Sequence, residues 1–407
     1  MQTSTRSAQP HDHHRTPREN AVAKDSPTKA KHMEVNPYHF WAARFWHGML
    51  LGSWFRLVAR NRFRISLTRW PLACTITFAT IFNSILRPIQ GFFYRGLVER
   101  TQIKDAPIFI IGHWRSGTTL LHELLVLDAR YTFPTTYECL APNHFLVSAW
   151  FVTKLKFLLP KKRPMDNMVT GWDRPQEDEF ALCNMGVPSP YLTMAFPNEP
   201  PQCPKYLTLE GLSTEELSRW KQGLEWFLKH VTFRNPKRII LKSPPHTARV
   251  KTILELFPDA RFVHIVRDPY AVYGSTVKLW KTLYKFQALQ EPNHQGLEEY
   301  VFSCFEQMYG AFHRDQHLIP ESRFFEVRYE DLVRDPIEQM RSLYEHLSLG
   351  EFEIARPKLQ AYFKDQEDYR TGTYQIPDAL REEIDRRWGP HMRQYGYCQQ
   401  PNASAAV

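Results

Sequence analysis

Residues 108–125 read IFIIGHWRSGTTLLHELL. Ile108, Phe109, Ile110 and Ile111 are a short apolar run closed by Gly112, while Leu120, Leu121, Leu124 and Leu125 recur at helical spacing. The stretch predicts a buried strand, a glycine-bounded turn rich in hydroxyls, and an amphipathic helix. Such a turn delivers backbone N–H groups to the positive end of a helix dipole, where an anion is favoured. Gly112 and Gly117 keep the GxxxxG spacing of a nucleotide phosphate loop, but position 118 is Thr, not the Lys that reaches β- and γ-phosphates. The cation lies inside the turn, at Arg115. A second strand, Arg261 to Val266, is followed by Arg267 before Asp268, whereas the magnesium-binding carboxylate of nucleotide hydrolases follows its strand directly. Both departures oppose nucleotide-dependent phosphoryl transfer.

From Pro107 onward, strand, turn and helix units alternate, as in a parallel sheet covered by helices. Arg238 to Leu241 reads as a strand ending at Lys242, followed by a helix from Thr247 to Phe257. Phe324 to Val327 reads as a further strand before Tyr329, and Pro336 to Leu347 as a helix. The Pro- and aromatic-rich interval 134–205, and 276–300, read as insertions shaping an acceptor pocket.

The RSGTT turn, Arg115, Ser116, Gly117, Thr118 and Thr119, resembles the 5′-phosphosulfate loop of sulfotransferases, which move a sulfuryl group from 3′-phosphoadenosine 5′-phosphosulfate to a hydroxyl acceptor. A second segment, FVHIVRDPYAVYGS at 262–275, is similar to the family's 3′-phosphate strand and helix, with Arg267 at the strand end and Ser275 eight residues later. A guanidinium and a hydroxyl so spaced can converge on one phosphate. Arg328-Tyr329-Glu330-Asp331-Leu332 resembles a third block, which implies Tyr329 near the adenine. Arg370-Thr371-Gly372 resembles the late arginine-x-glycine segment that closes over the 3′-phosphate. The resemblance implies a P-loop-like α/β fold and metal-independent transfer, since fixed cations can stabilise a sulfuryl group in flight. Where cytosolic members carry a Trp that stacks on adenine, this chain has Leu120.

Arg115 and Lys242 are the cations this chemistry needs, Lys242 standing at the sheet edge where open α/β folds bind ligands. Three groups could serve as the base. Glu138 follows Arg115 by 23 residues, comparable to the catalytic glutamate of tyrosylprotein and heparan-type sulfotransferases. His246 follows Lys242 by four residues, where cytosolic members have a histidine after two. Glu177 opens the cluster Glu177-Asp178-Glu179, which could equally cap a helix. The order of preference is Glu138, His246, Glu177.

Charge separates the chain into two parts. Residues 1–100 carry 15 Lys and Arg against 5 Asp and Glu, and the other 307 carry 37 against 38, so the whole net +9 sits in the first quarter. A pI near 9.1 confined to one end does not describe a nucleic-acid groove, and no nucleic-acid-binding pattern occurs. Met1 to about His32 lacks apolar periodicity and reads as a disordered leader over 1–34, its His11, His13 and His14 included. Between Val35 and Val98 there is no carboxylate, while eight arginines interleave with Trp and Phe. That is the composition of a segment lying on an anionic membrane. The uncharged stretch Trp70 to Leu86 is 17 residues, short for a span. The expected organisation is a basic aromatic helical region over 35–104, a catalytic domain over 105–398 and a tail over 399–407. The six cysteines form no CxxC, and without a secretory signal they suggest a reducing, cytoplasmic location, peripheral on the inner membrane face. A membrane-attached scaffold without catalysis is the non-enzymatic alternative, opposed by the four polar groups Arg115, Lys242, Arg267 and Ser275. The acceptor, amphiphilic or carbohydrate, and the oligomeric state are not legible.

Overall fold

The computed structural model describes residues 42–159, 170–364 and 376–397. The leader over 1–34, Arg370 and the tail over 399–407 lie outside the described residues.

Five parallel strands form the sheet: β1 (Ile108–Ile111), β2 (Tyr131–Thr132), β3 (Arg238–Lys242), β4 (Arg261–Val266) and β5 (Phe324–Arg328), in the order β2-β3-β1-β4-β5. β1 is central because all four of its side chains are apolar and fully buried, which only a strand covered on both faces permits. The strand period of two then sorts the chain. Phe109, Ile111, Leu241 and Phe262 enter one core with helices Thr214–Arg234, Pro269–Gln287 and Leu297–Asp315. Ile108, Ile110, Ile240 and Val263 enter another with helices Thr118–Leu125, Pro336–His346 and Arg356–Lys364. Parallel pairing of Ile110 with Lys242, and of Val266 with Arg328, brings the carboxyl ends of β3, β1, β4 and β5 to one edge.

After β3 the expected helix from Thr247 is a 3-10 turn, Pro244–Ala248, and the α-helix starts at Val250. Pro244 and Pro245 preset the φ of a tight turn and remove two backbone donors, so the segment 242–249 stays at the sheet edge instead of leaving along a helix.

The basic aromatic region joins the first core and is no separate module. Trp46, Met49, Trp54, Leu57, Val58, Ala73 and Ile76 are buried with the residues of that sheet face. The uncharged stretch Trp70 to Leu86 is the first part of a 30-residue helix, Trp70–Glu99, that runs on through Arg87 and Pro88. Its inward side chains explain the persistence. Asn83 donates to the carbonyls of His47 and Met49 at 2.7 and 2.9 Å, and Gln90 accepts from the Leu146 N–H at 2.8 Å. Tertiary bonds of this kind outweigh the cost of one proline.

Candidate active site

The cradle starts where β1 ends. Gly112 has φ +147°, and a Cβ there would lie 2.6 Å from the Ile265 carbonyl oxygen. Its N–H donates to Thr247 Oγ1 at 2.7 Å, tying the loop after β1 to the turn after β3. Arg115 holds φ +69°, unusual for a side chain with a Cβ and a mark of a loop shaped by what surrounds it. Ser116 Oγ donates back to the His113 carbonyl at 2.8 Å and fixes the loop from within. Gly117, φ +108°, is the N-cap of helix Thr118–Leu125, so Thr118 and Thr119 begin the helix.

A Cβ on Gly117 would meet Tyr329 Cδ2 at 2.5 Å, so only glycine lets the helix start lie on that ring. Gly117→Ala should therefore lower the unfolding free energy by about 1–3 kcal/mol, since it adds backbone strain to a contact that cannot yield. Gly96→Ala, in a helix interior with open space around it, should raise it by about 0.5–1 kcal/mol. Urea denaturation of the two variants checks the sign of each.

Three further groups meet the loop. Arg115 Nε donates to Ser275 Oγ at 2.8 Å, and Arg267 Nη1 donates to the Arg115 carbonyl at 3.1 Å. The Arg267 guanidinium lies 4.1 Å from the centre of the Tyr329 ring, a cation–π stack that keeps its plane fixed. Asp268 serves the helix instead of Arg267, accepting from the Tyr270 N–H at 3.0 Å. The structure thus brings together the RSGTT turn, Arg267 with Ser275, and Tyr329 from three separate stretches of sequence.

Lys242, 3% exposed, donates from Nζ to Glu177 Oε1 at 2.6 Å. The other oxygen, Oε2, accepts from the Tyr191 hydroxyl at 2.5 Å, and that hydroxyl accepts from Trp114 Nε1 at 2.9 Å. Burial, together with the charge of Glu177, pushes the Tyr191 phenol well above its usual range, so it remains a donor. The Lys242–Glu177 pair is therefore linked through the Tyr191 side chain to the cradle's own Trp114.

Asp178 and Glu179 complete a ladder along the segment after β3. Asp178 accepts from Ser243 Oγ at 2.8 Å and pairs with His246 Nε2 at 2.7 Å. Glu179 pairs with Arg249 at 2.6 Å and accepts a short hydrogen bond from Ser189. None of Asp178, Glu179, His246 or Arg249 is more than 1% exposed. Of the two roles open to this cluster, a side-chain cap is not formed: Glu177 is the N-cap, but its side chain makes no cap bond, and all three carboxylates reach across to 242–249.

The three base candidates differ in their contacts. Glu138 has both oxygens engaged, Oε2 by the Thr135 N–H at 2.7 Å in a capping box and Oε1 by Arg234 at 3.0 Å. His246 is enclosed, its ring against Phe109 and Trp220. Glu177 alone of the three bonds Lys242. Sequence reasoning missed Trp114, Tyr191, Arg249 and His122, the last a buried imidazole held neutral by burial and by the Lys242 charge, its pKa down to about 3. Tyr191 left no signal in the sequence. For His122 the signal was its position one helical turn after Thr118. Among the described residues no group of three or more His, Cys, Asp or Glu could hold a metal ion.

The comparisons agree with this geometry. A model of the sulfotransferase family matches residues 107–353. The omega-hydroxy-beta-dihydromenaquinone-9 sulfotransferase Stf3 of Mycobacterium bovis is 49% identical over 357 residues, covering 88% of this chain and 92% of the relative. The sulfotransferase STF9 of Mycobacterium avium superposes with a TM-score of 0.62 at 18% identity, over 85% of this chain and 96% of its own. STF1 of Mycobacterium tuberculosis gives 0.59 at 17% identity, over 84% and 91%. A β1-turn-helix cradle without a nucleotide-loop lysine, set in a parallel sheet and matched on both sequence and fold, makes this chain an enzyme of the sulfotransferase family.

Proposed function

We propose that the chain moves the sulfuryl group of 3′-phosphoadenosine 5′-phosphosulfate to the hydroxyl of a lipid-like acceptor, with Glu177 as general base. The observation that carries this reading is the 2.6 Å contact between Lys242 and Glu177 at the edge where the cradle opens. The backbone N–H groups of Ser116 to Thr119 and the Arg115 side chain hold the 5′-phosphosulfate. Arg267 and Ser275 hold the 3′-phosphate, and the Tyr329 ring borders the adenine. The acceptor oxygen forms a bond to sulfur as the bond from sulfur to the 5′-phosphate oxygen breaks. The hydroxyl proton passes to Glu177, and the leaving oxygen keeps the electron pair, releasing adenosine 3′,5′-bisphosphate. Lys242, an ammonium with three donors, can keep Glu177 oriented while offering a hydrogen bond to the charge that develops on the transferring group.

Two observations favour a lipid-like acceptor. The 49% identical relative is named for a hydroxylated menaquinone, and a long apolar helix face lies exposed on this chain. A cytoplasmic location accords with the free thiols of Cys74, Cys139, Cys183, Cys203 and Cys304.

Labelled donor tested against hydroxylated polyprenyl quinones, sterols, phenols and sugars decides the acceptor; sulfation of sugars alone would overturn the lipid reading. Calorimetric titration decides the donor, with tight binding of adenosine 3′,5′-bisphosphate and none of ATP expected. In the same titration Arg267→Ala should weaken the bisphosphate by about 2–4 kcal/mol, the cost of removing one partner of a charge-assisted pair. Unchanged affinity would take the 3′-phosphate away from Arg267.

A further inference from the structure

Helix Trp70–Glu99 is turned inside out relative to a soluble surface helix. Phe78, Phe82, Ile85, Ile89 and Phe92 recur at spacings of four and three and form one outward stripe, with Phe78 74% and Phe92 85% exposed. Thr80, Asn83 and Gln90 lie on the opposite, buried side. Asn83 and Gln90, about two turns apart, carry hydrogen bonds to the rest of the fold, so the helix is fastened lengthwise to the enzyme. Among the described residues it is the one helix long and apolar enough to cross a membrane. At 1.5 Å per residue it measures about 45 Å, beyond the ~30 Å of a hydrocarbon core, and its polar stripe would have to leave its partners to enter lipid.

We propose that this outward face, from Leu67 to Leu97, lies in the plane of an anionic bilayer with its Phe and Ile side chains inserted below the headgroups. The charges select this occupant over a second copy of the chain. Arg56, Arg62 and Arg87 are exposed and make no ion pair among the described residues. No carboxylate occurs between Val35 and Val98, so an identical face would set arginine against arginine, whereas anionic headgroups supply the missing counter-charge. The proposal does not rest on the acceptor assigned above, because its readout is binding of lipid without catalysis.

The test is flotation of the full chain with phosphatidylcholine vesicles, with and without phosphatidylglycerol, beside the double variant Phe78→Asp/Phe92→Asp. The full chain should float with the anionic vesicles. The double variant should lose at least about tenfold in partitioning, since it puts two charges into the apolar face, with bisphosphate affinity unchanged as proof of folding. A full chain that stays unbound at low salt overturns the proposal, as does flotation unaffected by the double variant. A lipid-free dimer that the double variant turns into monomer assigns the face to a second copy and overturns it too.

Discussion

Glu177→Gln is expected to lower kcat by about a hundred- to ten-thousand-fold, the usual worth of a positioned general base, while bisphosphate affinity stays within about threefold. Glutamine keeps the volume, and its one carbonyl oxygen can still accept from Lys242 while its NH2 takes the place of the second oxygen beside Tyr191, so the side chain stays at the site and the capacity to take a proton is lost. The orientation is strongly determined: Oε1 is held at 2.6 Å by Lys242, and Oε2 at 2.5 Å by a Tyr191 hydroxyl that Trp114 of the cradle also engages. Lys242→Ala should cost about a hundredfold or more in kcat, because it removes the cation and leaves Glu177 without its partner. Glu138→Gln supplies the contrast. It weakens a helix cap, about 1 kcal/mol of stability, and should leave kcat nearly unchanged. A larger kcat loss in Glu138→Gln than in Glu177→Gln would put the base at Glu138. Single-turnover measurements with saturating donor separate these outcomes from effects on binding.

What could be read in the chain beforehand follows from the range of the interactions. The cradle was legible because its determinants are local: four apolar residues, two glycines that the turn needs, and a helical leucine stripe all fall within 18 residues. Arg267 and Ser275 were legible for the same reason, on one strand-to-helix turn. The Lys242–Glu177 contact was not, because it joins residues 65 positions apart in sequence, and no local pattern encodes it. Thr135-Thr136-Tyr137-Glu138 carries the S/T-x-x-E pattern of a capping box, a local signal that the structure forms. The basic aromatic composition was visible, but the length of the helix was not, because the side chains that carry it past Arg87 and Pro88 bond to residues far away in sequence.

Glu179→Ala should cost about 3–5 kcal/mol of unfolding free energy, the penalty for leaving a buried charge without its partner. Arg249 is 1% exposed and pinned by the Leu207 carbonyl and the Trp220 ring besides Glu179, so its guanidinium cannot turn to water when the carboxylate is gone. The double variant Glu179→Leu/Arg249→Met separates a lost pair from a generally disturbed site. Removing both charges together should restore most of the loss, because the desolvation of both ions is then avoided. A double variant as unstable as Glu179→Ala would mean that the segment 242–249 depends on something other than this pair. Asp178, one step along the ladder, adds a pH dependence of definite sign. Burial raises its carboxyl pKa, but the hydrogen bonds and charge of His246, with the Ser243 hydroxyl, outweigh burial and hold it below the ordinary value of 3.8. The folded form therefore binds its proton less readily than the unfolded chain. Its contribution to stability is complete above about pH 4 and is lost as the pH falls through the lower folded value. Denaturation midpoints measured from neutral pH down to pH 3 should fall more steeply for the wild type than for Asp178→Asn, which has no proton to take up there. The ladder Glu177-Asp178-Glu179 thus divides its contacts: the outer carboxylate pairs with Lys242 beside the cradle, and the two enclosed ones hold the segment after the strand end that carries Lys242.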